Sequence, residues 1–224
     1  MSEYPERSNF RIPGTGGPVS GAPTAVPAGA SFVASYRARL RTAGNLTLAW
    51  LVAIWGVFLL NLFSGGYLNS FGIRPLDTAF LPAIASAPFL HSGFAHIMGN
   101  TTVGSVAAFL IGLSGKRTFL GVTFICITVA GTGTWLLGGA GTNHIGASGV
   151  VYGWVSYLVV RGFYNRSPGQ IIVGTVMLFA FSGMIHGFWP QAGLSWQGHL
   201  FGAIGGVIAG ATIGSMPRRS GGGS

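Results

Sequence analysis

Four stretches of the chain carry no charged side chain: 42–73, 78–115, 118–160 and 167–217. Each is long enough for one or two membrane spans of about 20 residues. The apolar runs within them predict six helices, at about 46–64, 96–114, 118–137, 148–161, 170–187 and 198–215. The fold class expected is therefore an all-α polytopic membrane protein, a six-transmembrane-helix bundle. Residues 1–43, rich in Pro, Gly, Ala and Ser, predict a disordered N-terminal tail. They are too polar to hold the apolar core of a signal peptide. Residues 44–216 make up the membrane domain, and 217–224 a basic end with a Gly/Ser linker-like tail. Between the first two spans, residues 65–95 hold Arg74, Pro75, Asp77, Pro82 and Pro88. They predict a long outer loop lying partly in the membrane interface.

Composition agrees with this reading. Only 7% of the 224 residues are charged and the mean hydropathy is +0.57, whereas soluble domains carry roughly a quarter charged residues. The 39 glycines suit close helix–helix contact in lipid. The net charge of +9 points to a membrane rather than to nucleic acid once the charges are placed. With the N-terminus inside, Arg7, Arg11, Arg37, Arg39, Arg41, Lys116, Arg117, Arg161, Arg166, Arg218 and Arg219 share the inner side, and Arg74 is the exception. That bias predicts a multi-pass protein of the cell membrane with both termini cytoplasmic. All five histidines (His91, His96, His144, His186 and His199) fall at the outer ends of spans or in outer loops. The lone Cys126 excludes an intrachain disulfide.

Helix geometry then singles out Ser148. From Ser148 to Arg161 is about 20 Å of helix, against a hydrocarbon core about 30 Å thick. If Arg161 marks the inner boundary, Ser148 lies roughly 10 Å below the outer one. The preceding "GGAGTNHIG" (138–146) must then enter the membrane as irregular backbone, which is tolerated only in protein or beside a wet cavity. A recessed polar cavity open to the outside, with Ser148 at its floor, is the consequence. Ser148 itself has two readings, a helix N-cap or a nucleophile. His96 and Asn100, four residues apart, share a helical face. Asn100 either bonds to a neighbouring helix or faces the cavity. On the last span Gly198, Gly202, Gly206 and Gly210 recur every fourth residue, and Gly149 and Gly153 have the same spacing on the fourth. Such stripes let two helices approach closely, which would bring Ser148 and His199 within reach.

A serine hydroxyl needs a base to become nucleophilic, and His199 can take its proton and return it to a leaving amine. The only acids, Glu3, Glu6 and Asp77, lie outside every predicted span, so the permitted form is a Ser–His dyad rather than a triad. Tyr152, one turn below Ser148, either packs against the imidazole or is simply buried. The Ser148 N–H, in the first turn of a helix, lacks an intrahelical acceptor. With the Asn100 amide and a His96 ring N–H it can form an oxyanion hole. Nothing in this set calls for a cofactor or a metal.

In their order, "HSGFAHIMGN" (91–100), "GASGVVYG" (146–153) and "GHLFGAIGG" (198–206) resemble the rhomboid intramembrane serine proteases. The likeness covers roughly residues 45–215. It implies Ser148 as nucleophile, His199 as base, and His96, Asn100 and the Ser148 amide as the oxyanion hole. His91, Tyr152, Gly146, Gly149, Gly198 and Gly202 take supporting places. It further implies a serine endopeptidase that cuts transmembrane segments of other membrane proteins; the position of the cavity predicts a cut near their outer ends. Two features depart from the family pattern. Pro82 and Ala83 stand where many members carry Trp-Arg, and "GLSGKR" (112–117) lacks an acid common near the inner end of the second span. A non-catalytic binder or chaperone of transmembrane helices is the main alternative. A transporter using the outer histidines is disfavoured, because His91 and His96 are spaced poorly for a metal and no acidic ion site interrupts a span.

Overall fold

The computed structural model describes residues 28–214. Its helices are α1 (Ala28–Phe63), the short α2 (Ala83–Ser86), α3 (Phe94–Gly112), α4 (Lys116–Leu137), α5 (Ser148–Tyr164), α6 (Pro168–Ala180) and α7 (Trp196–Gly214). Among the described residues there is no strand, only one antiparallel bridge between Ile73 and His144. By length and composition α1 (from Phe32), α3 and α4 can each cross a membrane. The fifth predicted span is not one straight helix. It breaks after Ala180, and a 3-10 segment, Ser182–Phe188, continues at 65° to α6. Exposed Phe63, Phe124 and Phe179 belong to a surface that faces lipid rather than water.

Two expectations need correction. Residues 28–43 are not a disordered tail but the opening turns of α1. No proline follows Pro27 before Pro75, and "ASYRARLRTA" is dominated by Ala, Arg and Leu, all strong helix formers. The rest of the predicted tail, residues 1–27, and the 217–224 end lie outside the described residues. Arg161 does not end the fourth span at a boundary: the helix runs on to Tyr164 and Arg161 is buried.

The core forms around α5. Trp154, Tyr157 and Leu158 pack against Ala107, Ala108 and Ile111 of α3, Phe119, Val122 and Cys126 of α4, Met177 of α6 and Ala209 of α7. Trp154 is fully buried and satisfies its indole N–H on Thr123 Oγ1 at 3.1 Å. Trp50 of α1 meets it edge-on at 5.3 Å and lies over Gly104, where any Cβ would strike the indole.

α5 and α7 interlock through glycine. A Cβ on Gly149 would sit 3.0 Å from the Gly198 carbonyl, and one on Gly153 2.8 Å from that of Gly202. Conversely, a Cβ on Gly202 or Gly206 would collide with the carbonyl of Gly149 or Gly153. The predicted stripes therefore meet backbone against backbone at Gly202 and Gly206, whereas Gly198 abuts the Ser195 side chain and Gly210 those of Val160 and Tyr164.

Residues 65–95, with Pro82 and Ala83 in place of a Trp-Arg pair, are anchored by other contacts. Leu76 N–H donates to the Trp135 carbonyl at 3.0 Å, and the Trp135 indole donates to the Asp77 carbonyl at 3.1 Å. Ala83 is buried, Ile84 fills the space above Gly131, and the Arg74 guanidinium lies 3.9 Å over the Phe80 ring.

Because the atoms that meet Gly202 are backbone, they cannot move aside cheaply. Gly202→Ala should destabilise the folded chain by about 2–3 kcal/mol, read as a lower unfolding midpoint in detergent. Gly169→Ala, where a Cβ meets nothing, should leave the midpoint within about 0.5 kcal/mol.

Candidate active site

Ser148 is the first residue of α5, and Ala147 occupies the N-cap position with no side-chain cap. The N-cap reading of Ser148 therefore fails: its hydroxyl goes instead to His199 Nε2, 2.9 Å away. His199 lies in the first turn of α7, is 3% exposed, and places Nδ1 2.7 Å from the Gly187 carbonyl. A carbonyl only accepts, so Nδ1 carries the proton and Nε2 is left to accept from Ser148. Tyr152 is stacked on the imidazole, with ring centroids 4.1 Å apart and planes 5° from parallel. Its hydroxyl donates to the Met184 carbonyl at 2.5 Å. Two carbonyls of the 3-10 segment thus hold the two stacked rings.

Gly187 has no room for a side chain. A Cβ there would collide with the Tyr152 hydroxyl and come within 2.8 Å of His199 Nδ1. Neither that glycine nor its carbonyl has any signal in the sequence.

His96 lies against the segment leading into Ser148. A Cβ on Gly146 would meet its Nε2 at 2.5 Å, and Gly146 holds φ +117°, so two separate constraints exclude other residues there. His96 Nδ1 is 3.1 Å from Ser92 Oγ. Asn100 is buried, and its amide nitrogen has no hydrogen-bond partner. The reading in which this amide nitrogen bonds to a neighbouring helix is not the one observed. His91 packs edge-on against His96, with ring centroids 5.0 Å apart.

The irregular segment 138–147 is tied down on both sides. Ile73 and His144 exchange backbone hydrogen bonds at 2.9 Å, and Gly146 N–H donates to the Ala87 carbonyl. The His144 ring reaches the other way: Nε2 lies 3.0 Å from the Gly138 carbonyl and Nδ1 2.8 Å from Ser195 Oγ. Ser195 in turn caps α7, accepting from Gly198 N–H at 3.3 Å. His144 therefore links the loop that delivers Ser148 to the cap of the helix that delivers His199. Its position among the outer histidines was legible; this link was not. Burial holds its pKa below the ordinary value, opposed by the hydrogen bond to the Gly138 carbonyl.

A cavity of about 780 Å³ opens above these groups, lined by Ser92, His96, His144, Gln191, Ser195 and Gln197. A second, of about 40 Å³, lies beside Ser148 and Gly149, and is large enough for a water molecule. The single predicted cavity is thus two spaces, with 138–146 as one wall of the larger and 190–197 as the other.

His91 lies before α3, and burial, with the His96 ring second, pushes its pKa down to about 4 against the hydrogen bond to Phe89. The folded chain keeps this ring neutral while the unfolded chain protonates it near 6.5. Stability from this group is thus full above about 6.5 and lost as pH falls towards about 4. Thermal midpoints measured across that window should fall with pH in the wild type, and fall less in His91→Gln. Equal slopes would remove His91 as the cause.

The Rhomboid domain family matches residues 81–216. Similar proteins come from mycobacteria. Uncharacterized proteins of Mycobacterium bovis and Mycobacterium tuberculosis are each 38% identical over 206 residues, covering 88% of this chain and 85% of the relative. An uncharacterized protein of Mycobacterium leprae is 38% identical over 192 residues, covering 82% and 76%. The match takes in all three motifs of the site and most of the helical bundle, and the chain belongs to the rhomboid family, the family of intramembrane proteases.

Proposed function

We propose that this chain is an active serine endopeptidase that cleaves the transmembrane segments of other membrane proteins near their outer ends. The observation that carries this reading is the 2.9 Å contact from Ser148 Oγ to His199 Nε2, with Nδ1 held on the Gly187 carbonyl. In this reading His199 accepts the Ser148 proton as Oγ attacks the scissile carbonyl carbon. The tetrahedral oxyanion is met by the Ser148 N–H, the unpartnered Asn100 amide and the His96 ring. The proton then passes from His199 to the leaving amine as the C–N bond breaks, leaving an acyl-enzyme. Water, activated by the same imidazole, hydrolyses the ester and restores both residues. Tyr152 keeps the ring plane fixed, the part a carboxylate plays in a triad.

The bundle supports six crossings: α1, α3, α4, α5, α6 with its 3-10 extension, and α7. It also supports a cytoplasmic N- and C-terminus in the cell membrane. Arg161 donates to Ser114, so the α3–α4 turn with Lys116 and Arg117 lies at the same end as the α5–α6 turn with Arg166. Arg74 belongs to the opposite end, and the asymmetry matches the positive-inside bias.

Membranes carrying the wild type should label with a fluorescent fluorophosphonate, and Ser148→Ala and His199→Ala should each reduce labelling by at least about 10³-fold. Labelling that survives Ser148→Ala would refute the assignment. Folded wild type that stays unlabelled would favour a non-catalytic binder of transmembrane helices. Gly187→Ala, which displaces both rings without removing either, should slow labelling on the order of 10²-fold. The reactive serine should remain Ser148, as shown by peptide mapping of the labelled site.

A further inference from the structure

Arg161 is the only buried lysine or arginine among the described residues, with 6% of its surface exposed. Its Nη1 donates to Ser114 Oγ at 3.2 Å, and the Tyr157 ring lies 5.7 Å from Cζ, with the phenol as a further polar neighbour. Its Nε is walled off and has no hydrogen-bond partner. None of these groups carries a counter-charge. The sole carboxylate among the described residues, Asp77, caps a 3-10 turn beside Trp135, in the segment that also meets His144. A guanidinium out of water without an anion is strongly disfavoured unless one is supplied.

The surroundings suit such an anion. Ser114, which receives the Arg161 hydrogen bond, is exposed, so it links the buried guanidinium to the surface. The next residue, Gly115, is the N-cap of α4 at φ +104°, and no side chain caps the helix. The first-turn amides of this 22-residue helix therefore face the same corner. Lys116 and Arg117 stand exposed at its rim. Arg161 is about 20 Å along α5 from Ser148, at the end of the bundle opposite the candidate active site.

We propose that this corner, formed by the Arg161 guanidinium and the N-terminus of α4, binds a phosphate group. The fork of an arginine and the amides of a helix start are complementary to its oxygens. A lipid headgroup phosphodiester and free phosphate share this chemistry. The exposed Lys116 and Arg117 at the rim favour the lipid, an anionic one.

The test uses the full chain in nanodiscs of phosphatidylcholine alone, of phosphatidylcholine with phosphatidylglycerol, and of phosphatidylcholine with inorganic phosphate against sodium chloride of equal ionic strength. Phosphatidylglycerol should raise the melting temperature by about 3 °C or more. The rise should vanish in Arg161→Gln and persist in Arg166→Gln, whose side chain is exposed. Native mass spectrometry of the wild type should show one phosphatidylglycerol retained per chain in preference to phosphatidylcholine, which decides the matter even if Arg161→Gln does not fold. A rise produced by inorganic phosphate and lost in Arg161→Gln would support the site and make its ligand the free anion. An equal rise in Arg161→Gln, or a wild type that neither retains the lipid nor responds to phosphate, would overturn the proposal.

Discussion

The rest of the site depends on how closely α5 and α7 approach. With glycine at 149, 153, 202 and 206, the carbonyls of one helix fill the space where the other would carry side chains. Lipid tails are as apolar as the helices, so association in a bilayer relies on this close fit rather than on a hydrophobic drive. The functional consequence is metric. Ser148 begins α5 and His199 lies in the first turn of α7, so the separation of the two backbones sets the 2.9 Å between hydroxyl and imidazole. A bulkier interface would keep the same residues and lose the contact.

An imidazole without a carboxylate partner must be oriented by neutral groups, and the structure assembles three. The Gly187 carbonyl selects the tautomer, the Tyr152 ring fixes the plane, and the Met184 carbonyl holds Tyr152. A carbonyl is an acceptor that needs no counter-charge, so it can be buried beside an imidazole where a carboxylate would carry a large desolvation penalty. The arrangement makes the 3-10 segment after α6 part of the candidate site, although none of its side chains joins the Ser148–His199 pair. His144 performs a comparable service across the loop, tying the approach to Ser148 to the cap of α7.

Polar groups in this chain are scarce and concentrated at its two ends. At one, imidazoles, amides and hydroxyls line open space; at the other, cations gather around the α3–α4 and α5–α6 turns, with one of them drawn inside. Between them lies an apolar core around Trp154, whose only polar atom is satisfied on Thr123. Chemistry and charge are thereby kept about 20 Å apart along α5.

Much of this was legible in the residue pattern, for reasons that are local. Charge-free runs declare helices that lipid can accept. Glycines at four-residue spacing declare a face, and three short motifs with Ser148, His199, His96 and Asn100 declare a family. The helical start of α1 was misread because Pro, Gly and Ser before residue 28 masked a run of good helix formers after it. Arg161 reads as a boundary marker in the sequence, since a lone arginine there does not reveal that Ser114 and Tyr157 surround it. What only the tertiary structure decided are the contacts made by backbone. These are the carbonyls of Gly187 and Met184, the bridge of Ile73 to His144, and the bend after Ala180. Every residue carries the same carbonyl, and all but proline the same N–H, so sequence cannot mark which of them will be used. That choice belongs to the packing that brings distant segments together.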